Sequence, residues 1–353
     1  MKPINIFHLT TAFVVGGAEK VILDLSTHSH SDFHVQVIAL SHNDDMLSTF
    51  IEQGIKAHKL DMKKSISSFF QIFKRLDKVV AEDAIDIIHV HLFHPLPLAL
   101  LLKLKHPRLK IFFTSHSTDI GGKHRELLTW ISKRLRYKDI IFSQDMMSSI
   151  YRKDTVIINN GVDVAAFNTF VEKNSRFTFI SVGTIRPEKN QLHLVDCAYQ
   201  LKKKGYDFDI NIVGGGVEND ELIQKIQQAI IEKGVSDCVH MLGVRKEIPQ
   251  LLKQSHCLVL PSLFEGMPLV LLEAGAAKLP IIATPVGSIP KLLEPTMGFV
   301  SQLDQFCEQM EKVLNNYTNA ETKATLFLAK VEASFSIHSV VRSHELLYRK
   351  SMK

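Results

Sequence analysis

The sequence predicts an α/β protein made of two Rossmann-like, doubly wound domains. The chain has 353 residues, which exceeds one ordinary domain and suits two. Short apolar segments alternate along it with segments of helical periodicity, as parallel α/β units require. Glycine-rich loops follow several of the apolar segments, as at Gly16-Gly17 and Gly214-Gly215-Gly216. We expect a first domain over residues 1–168, a second over 175–335 and a terminal helix over 336–353.

The elements are predicted from these alternating segments. In the first domain, apolar runs predict strands over 4–9, 33–40, 86–91, 110–114 and 140–143, and periodicity predicts helices from Val21, over 46–53 and over 65–82. In the second domain, strands are expected over 177–182, 210–213, 239–243 and 257–260 and from Ile281, with helices after Pro268 and over 303–314, 324–331 and 337–348.

Bulk properties exclude several classes of protein. The composition, 45% hydrophobic and 22% charged, is that of a globular protein. The longest apolar run, residues 95–102, is interrupted by Pro97 and is far shorter than the roughly 20 residues of a membrane span. The first residues resemble a strand more than a secretory signal, so we expect a cytoplasmic protein. The four cysteines have no CxxC spacing and lie beside apolar residues, which predicts reduced core thiols. They are Cys197, Cys238, Cys257 and Cys307.

The segment 257–277 contains the most informative junction of the chain. A predicted strand passes through a turn with Gly266 into a helix that we expect to begin at Pro268. In a parallel sheet such a junction lies at the carboxyl edge, and the first amides of the helix form an anion site. Glu265 precedes the turn, and Glu273 lies five residues beyond Pro268, roughly 7 Å along the helix axis. The two carboxylates therefore flank the predicted anion site.

These residues carry a resemblance to a known family. The run E-G-M-P-L-V-L-L-E from Glu265 to Glu273 resembles the donor-site signature of family-four (group 1) retaining glycosyltransferases. The G-T-I-R-P-E-K-N loop from Gly183 and the N-G-V-D-x-x-x-F segment from Asn160 are similar to other motifs of that family. The resemblance extends over nearly the whole chain.

The resemblance implies a GT-B fold, in which two Rossmann-like domains face each other across a cleft and the terminal helix returns to the first domain. It implies sugar transfer, with retention of configuration, from a nucleotide-diphosphate sugar to a glycan or lipid-linked acceptor of surface polysaccharide or lipopolysaccharide biosynthesis. Its implied catalytic residues are Glu265, His116 and Lys189. The implied donor-binding residues are Gly17, Arg186, Lys189, Gly214, Val244, Arg245, Glu265, Gly266, Met267, Pro268, Leu269, Val270 and Glu273.

Two positions depart from the family pattern. The family carries an Arg directly after the glycine of the 183–190 loop, and here Thr184 occupies that position. Lys189 matches the family lysine, and Arg186 is the candidate that takes over the missing cation. Ser288 replaces a second glycine in the loop after the strand at Ile281.

No metal or other cofactor is expected. His89 and His91 share one face of a strand, but the sequence offers no third ligand at suitable spacing, and we expect His91 to line the cleft. The Asp207-Phe208-Asp209 triplet resembles manganese motifs of another fold, yet it begins a strand and is expected to be a solvated turn. Asn219 stands where a dinucleotide fingerprint would need its third glycine.

The segment 103–138 is strongly basic, with ten Lys and Arg residues. Leu127, Leu128, Ile131 and Leu135 share one helical face there, beside Trp130. A helix of this kind binds an anionic membrane surface or packs on a core with its basic face in water, and both readings stay open. Nucleic-acid binding is not expected, because no stacking platform accompanies the charge.

Two other functions use the same features. A GT-B sugar-nucleotide epimerase or hydrolase would need the donor site and no sugar acceptor. A sugar-nucleotide-binding protein without activity would need only the binding residues.

Overall fold

The computed structural model describes residues 2–116, 120–215 and 221–353. The chain divides into two compact units. The first contains Met1–Gly161 together with Ile337–Lys353, and the second contains Val162–Ser336. The segment 337–353 therefore belongs by its contacts to the unit that begins the chain.

The first unit is a parallel sheet with helices in its crossover connections. Its strands run in the order β3-β2-β1-β4-β5-β6-β7, and every described pair is parallel. The direction of strand addition reverses between β1 and β4, as in doubly wound folds, so the loops after these strands lie at a switch point. The strands are β1 Ile4–Thr10, β2 Phe33–Ala39, β3 Lys56–Lys59, β4 Ile87–His91, β5 Lys110–Thr114, β6 Lys138–Ile141 and β7 Val156–Ile157; the helices are α1 Gly17–Thr27, α2 Leu47–Glu52, α3 Ile66–Glu82, α4 Leu96–Lys105, α5 Lys123–Ile131 and α13 Ile337–Ser351.

Burial explains why these segments form strands. Every residue of β4 is buried, as expected for a central strand covered on both faces. Part of the core lies between β2, α1 and α2, where Phe13, Ile22 and Phe50 pack together. On α13, the ring of Tyr348 packs edge to face on Phe112 of β5, with ring centroids 5.0 Å apart. This contact fixes the terminal helix to the sheet of the first unit.

The second unit repeats the architecture. Its strands run in the order β10-β9-β8-β11-β12-β13, again all parallel in the described part. Strands β8 and β11 are neighbours although two strands separate them in sequence. The strands are β8 Thr178–Val182, β9 Asp209–Val213, β10 Val239–Gly243, β11 Cys257–Leu260, β12 Ile281–Ala283 and β13 Phe299–Val300; the helices are α6 Leu192–Lys203, α7 Glu221–Glu232, α8 Ile248–Gln254, α9 Leu269–Ala276, α10 Ile289–Leu292, α11 Leu303–Asn315 and α12 Tyr317–Ser334.

The predicted fold class of parallel-sheet α/β domains is confirmed. Among the strands, sequence analysis did not find β3, β7 or β13, because β3 is a four-residue edge strand with two exposed residues, and β7 and β13 have only two residues each. The expected start of α9 at Pro268 is wrong by one residue. Pro268 has extended backbone angles and forms the N-cap, and the helix begins at Leu269.

The prediction of four reduced cysteines is wrong for one pair. Cys197 on α6 and Cys307 on α11 form a disulfide across 110 residues of sequence. Cys238 and Cys257 are free thiols, both buried. The pairing depends on two helices packing side by side, and local sequence spacing carries no information about that packing.

Candidate functional site

In the second unit, the structure brings Lys189 and Glu265 together. Lys189 ends the loop after β8, and Glu265 lies in the loop after β11. Because β8 and β11 are neighbouring parallel strands, both loops leave the same edge of the sheet. The Nζ of Lys189 lies 2.7 Å from each carboxylate oxygen of Glu265. This pair is the centre of the candidate site.

The Glu265 carboxylate is held in a buried position. Its residue is only 5% exposed, while the side chain of Lys189 is 27% exposed. The hydroxyl of Ser262 donates to its Oε1 at 2.7 Å, and the hydroxyl of Thr284 in turn donates to the carbonyl of Ser262 at 2.5 Å. A carboxylate with this many fixed donors has one defined orientation.

A glycine after β12 allows a close backbone approach to Glu265. Gly287 has a positive φ of 57°, and a Cβ built there would lie 1.8 Å from the carbonyl oxygen of Glu265. The next residue, Ser288, donates through its amide and its hydroxyl to the carbonyl of Gly266, at 3.1 and 2.7 Å. Only glycine fits this contact, so the loop after β12 holds the Glu265 turn in place.

The two loops are also joined through their backbones. The amide of Leu263 donates to the carbonyl of Glu188 at 2.7 Å, and the side-chain amide of Asn190 donates to the carbonyl of Pro261 at 3.2 Å. Asn190 adopts a left-handed backbone conformation that ends the turn before α6. These bonds position Lys189 independently of its ion pair.

The glycine loop after β9 approaches the loop after β8. A Cβ at Gly214 would lie 1.9 Å from the carbonyl oxygen of Gly183, so the two backbones touch. Val244 lies against Gly215 and is 57% exposed. Arg245 follows it on the surface, 3.7 Å from Glu247.

The start of α9 lies directly after the Glu265 turn. The amide of Leu271 already donates to the carbonyl of Pro268, so the anion site predicted at this end is reduced to the amides of Leu269 and Val270. Met267 is buried, and Glu273 is half-buried on the second turn. Farther along, Gly275 lets the helix pack closely on Phe327 of α12.

Arg186, the candidate replacement for the missing arginine, is exposed. Its Nη1 lies 3.7 Å from Oε1 of Glu188. A Thr side chain at 184 carries no charge, so Arg186 remains the second cation of this loop, at an exposed position.

Gly17 and His116 lie in the first unit. Gly17 begins α1 after the N-cap Gly16, at the carboxyl edge of β1. Two residues on, Glu19 is buried, and burial raises the pKa of its carboxyl from 4.5 to about 7. Glu19 was not among the predicted site residues, and its place in the Gly16-Gly17-Ala18-Glu19 loop after β1 is a sequence signal that marks it.

His116 follows β5 and has a positive φ of 62°. Its Nε2 lies 2.8 Å from Nδ1 of His91, so the two rings share a hydrogen bond. Burial, with the nearby imidazole of His344, lowers the pKa of His116 to about 3. The expectation that His91 lines an open cleft is wrong, because His91 is fully buried in β4.

Some predicted positions cannot be placed. Gly216 and Asn219 of the glycine loop after β9, like Ser117 after His116, lie outside the described residues.

Sequence reasoning missed the residues that hold Glu265. Ser262 precedes it by three residues in the same turn, so its S-x-x-E spacing was available as a signal. The roles of Thr284, Gly287 and the carbonyl of Glu188 depend on contacts between separate loops and have no local signal.

The described residues contain two clusters of potential metal ligands. One is His8, His89 and His91, and the other is His193 with the disulfide-bonded Cys197 and Cys307. The disulfide leaves no thiolate for the second cluster. At the Asp207-Phe208-Asp209 triplet, Arg176 donates to both carboxylates, at 2.6 and 2.8 Å. The two aspartates of the triplet are therefore both bonded to Arg176, at the amino end of β9.

Comparisons with family models match both halves of the chain. Residues 15–166 match the model described as Glycosyltransferase Family 4, and residues 165–325 match the model described as Glycosyl transferases group 1. Together these matches support a group 1 glycosyltransferase.

Individual proteins extend the likeness over most of the chain. The capsular polysaccharide biosynthesis glycosyltransferase CapH of Staphylococcus aureus is 28% identical over 285 residues, 77% of this chain and 78% of that protein. The UDP-Gal:alpha-D-GlcNAc-diphosphoundecaprenol alpha-1,3-galactosyltransferase of Escherichia coli is 24% identical over 364 residues, 89% of this chain and 88% of that one. The crystal structure of Anabaena HepE in complex with UDP-glucose has a TM-score of 0.86 at 17% identity, covering 98% and 99% of the two chains. This structural likeness shows the GT-B fold.

No helix among the described residues combines the length and apolar character that crossing a membrane requires.

Proposed function

We propose that this GT-B glycosyltransferase of group 1 transfers a sugar from a nucleotide-diphosphate donor to a glycan or lipid-linked acceptor, with retention of configuration. The observation that carries the proposal is the buried ion pair between Lys189 and Glu265 beside the start of α9. The pair joins a cation and a carboxylate from two neighbouring loops, the second of which leads directly into the first amides of α9, and a sugar diphosphate needs each of these groups.

Lys189 is proposed to stabilise the departing diphosphate. The ammonium group has three N–H donors, and two of them are bonded to the Glu265 carboxylate oxygens. Because the Lys189 side chain is 27% exposed, a phosphate oxygen can approach it from the open side. Lys189, together with the amides of Leu269 and Val270, would compensate the negative charge that develops on the diphosphate as the glycosidic bond breaks. This arrangement supplies positive charge from the protein, so we propose that no metal is required.

Glu265 and Glu273 are proposed to hold opposite ends of the donor. Glu265 would accept hydrogen bonds from sugar hydroxyls, and Glu273, on the second turn of α9, would accept them from the ribose diol. Val244 and Arg245 would lie against the base. Gly214 and Gly17 would allow close approach of the backbone to the donor, and His116 would contact the sugar.

A UDP-sugar is proposed as the donor, and surface polysaccharide or lipid-linked oligosaccharide synthesis as the process. The support is the likeness to the E. coli protein named for UDP-Gal and to HepE, whose crystal structure contains UDP-glucose. The likeness to CapH supports a polysaccharide precursor as acceptor.

We also propose that the first unit binds an anionic membrane surface from the cytoplasmic side. Of the predicted apolar face, Leu127 and Ile131 on α5 are 56% and 59% exposed, and Trp130 is 53% exposed. Lys133 lies over the Trp130 ring, 5.7 Å from its centroid. Leu128 and Leu135 of the same predicted face are half-buried, so the exposed part of the patch consists of Leu127, Trp130 and Ile131. An exposed apolar patch edged by lysine and arginine has the composition of an interfacial helix, and this supports the membrane proposal.

Donor turnover tests the main proposal. The purified protein is incubated with UDP-, GDP- and ADP-sugars, with and without a lipid-linked acceptor extract, and nucleoside diphosphate release is measured. We expect release that requires one donor class and the acceptor, and at least about a tenfold loss in Glu265→Ala. Epimer formed from the donor alone would favour an epimerase, and tight donor binding with no turnover on any acceptor would favour a binding protein.

Vesicle pelleting tests the membrane proposal. The protein should sediment with vesicles that contain phosphatidylglycerol and remain in solution with neutral vesicles. Trp130→Ser should weaken sedimentation, whereas Phe70→Ser, which changes an aromatic residue of α3 that is 57% exposed, should not.

A further inference from the structure

A chain of hydrogen-bonded imidazoles runs through the sheet of the first unit. His8 on β1 bonds His91 on β4 through Nδ1 and Nε2, 2.8 Å apart. His91 bonds His116 through its other ring nitrogen, also at 2.8 Å. His8 and His91 are 1% and 0% exposed, so no bulk water competes for these nitrogens.

All three rings are held in the neutral form. Burial lowers the pKa of His8 and of His116 to about 3, and burial together with neighbouring imidazoles lowers that of His91 well below its usual value. A neutral imidazole carries one N–H and one lone pair. Each bond in the chain therefore needs a donor nitrogen on one ring and an acceptor on the next.

This rule leaves two arrangements for the whole chain. In one, His116 donates to His91 and His91 donates to His8, which leaves Nδ1 of His116 as an acceptor. In the other, every bond is reversed and Nδ1 of His116 carries the hydrogen. A mixed arrangement would place two donors or two acceptors face to face, so the tautomers of the three residues are coupled.

The backbone of His116 gives an independent reason to expect a fixed ring. Its φ of 62° lies in the left-handed region, which costs a residue with a side chain on the order of 1 kcal/mol. Such strain persists only where surrounding contacts hold it, and it occurs most at functional sites. The bond to His91 is one contact that holds the ring.

A metal site made from His8, His89 and His91 fits the geometry less well. The ligand atoms of the three residues lie within 4.8 Å of one another, but the rings of His89 and His91 pack against each other, with centroids 4.1 Å apart and planes 32° apart. Both nitrogens of His89 are already bonded, one to the hydroxyl of Tyr348 at 2.6 Å and one to that of Thr114 at 2.9 Å.

We propose that His91, itself held by His8, is a positioning residue that couples the tautomer of His116 to its own, so that the three rings adopt one of the two arrangements together, and that fixes the ring orientation of His116. Nδ1 of His116 then faces a bound hydroxyl group with one fixed role, either as a hydrogen-bond donor or as an acceptor. The effect on turnover rests on the proposed function, in which that hydroxyl belongs to the donor sugar. The tautomer itself does not depend on that function.

Nitrogen-15 spectra of histidine-labelled protein test the tautomer directly. In the unaltered protein, His116 should show one neutral tautomer from pH 5 to 8, with no titration. His91→Phe should convert it to a mixture of tautomers. The matched control is His89→Phe, which removes another fully buried histidine of the same strand that does not bond His116, and it should leave the His116 signals unchanged.

His91→Asn keeps a polar atom near the position of Nδ1 and loses the bond to His8. It should retain a His116 signal closer to the single tautomer than His91→Phe does. Turnover should fall about tenfold in His91→Phe, less in His91→Asn, and within about twofold of the parent in His89→Phe.

Several results would overturn the proposal. One is a His116 that averages between tautomers, or titrates near pH 6.5, in the unaltered protein. Another is an unchanged His116 spectrum or unchanged turnover in His91→Phe. A third is binding of one Zn²⁺ that shifts the His8, His89 and His91 signals together. If spectra follow the expectation while no transfer is found with any donor, the proposed function fails and the positioning role stands.

Discussion

The ammonium group of Lys189 lies 2.7 Å from both carboxylate oxygens of Glu265, although 76 residues separate them in sequence. The pair is unequal, because Glu265 is 5% exposed and the Lys189 side chain 27%. Removing the lysine leaves a carboxylate in a dry environment, while removing the carboxylate leaves an ammonium that can turn towards water.

We therefore predict that Lys189→Met lowers the free energy of unfolding by about 2 kcal/mol and Glu265→Gln by about 1 kcal/mol or less. Urea unfolding of both variants and of the double variant measures this. Lys204→Met, which breaks an exposed pair with Glu311, is the control and should change the free energy of unfolding far less than Lys189→Met does, because water screens an exposed pair. Equal costs at Lys189 and Glu265 would contradict the asymmetry.

Substitution of the two glutamates of the site should have different effects, one on UDP binding and the other on turnover. Glu273→Ala should weaken binding of UDP about tenfold, because a ribose contact is lost from substrate and product alike. Glu265→Ala should bind UDP nearly as well and lose turnover. Calorimetric titration with UDP and initial rates at saturating donor measure the two effects, with Glu308→Ala on the exposed face of α11 as the control. Full activity in both glutamate variants would reject these roles.

Gly287 tests whether the loop after β12 positions Glu265. Gly287→Ala must relieve a contact of 1.8 Å to the Glu265 carbonyl oxygen, so turnover should fall at least about tenfold. Gly234 has a similar φ of 62° and nothing within 4 Å of its Cβ position. Gly234→Ala should therefore show only the backbone cost, about 1 kcal/mol of stability, with normal turnover. Normal turnover in Gly287→Ala would show that the loop does not hold the site.

The disulfide between Cys197 and Cys307 should stabilise the second unit. Reduction should lower the free energy of unfolding by about 2–4 kcal/mol, because the bond closes a long loop in the unfolded chain. Titration of thiols in the denatured protein should find two before reduction, Cys238 and Cys257, and four after it. Cys307→Ser should remove the effect of reductant. Four titratable thiols in protein purified without reductant would contradict the bond.

Glu19 should make stability depend on pH. Its pKa is about 7 in the folded protein and 4.5 as its ordinary value, so between these pH values the folded state binds more protons than the unfolded state. Stability from this group is complete below pH 4.5 and is lost as the pH rises through 7, by up to about 3 kcal/mol. Glu19→Gln removes this loss, so its stability relative to the parent should increase from pH 5 to pH 8. Thermal unfolding at both pH values measures the change, and a pH-independent difference would contradict it.

Sequence alone determined the class of the fold and the types of residue at the site. Strands such as β4 and β11 appear as uninterrupted apolar runs, because both faces of a central parallel strand are buried. Glu265 and Glu273 were recognisable because they flank a strand-turn-helix junction that can be read from neighbouring residues, whereas Gly183 and Lys189 were recognised through the resemblance of their loop to a family motif.

Only the tertiary structure decided which of these residues meet. The strand order places β8 beside β11, and this neighbourhood brings Lys189 to Glu265 and the loop of Gly287 to the same turn. In the same way, the order β1-β4-β5 aligns His8, His91 and His116, and the packing of α6 on α11 joins Cys197 to Cys307. Periodicity reports only on residues a few positions apart, whereas these contacts depend on how whole elements pack.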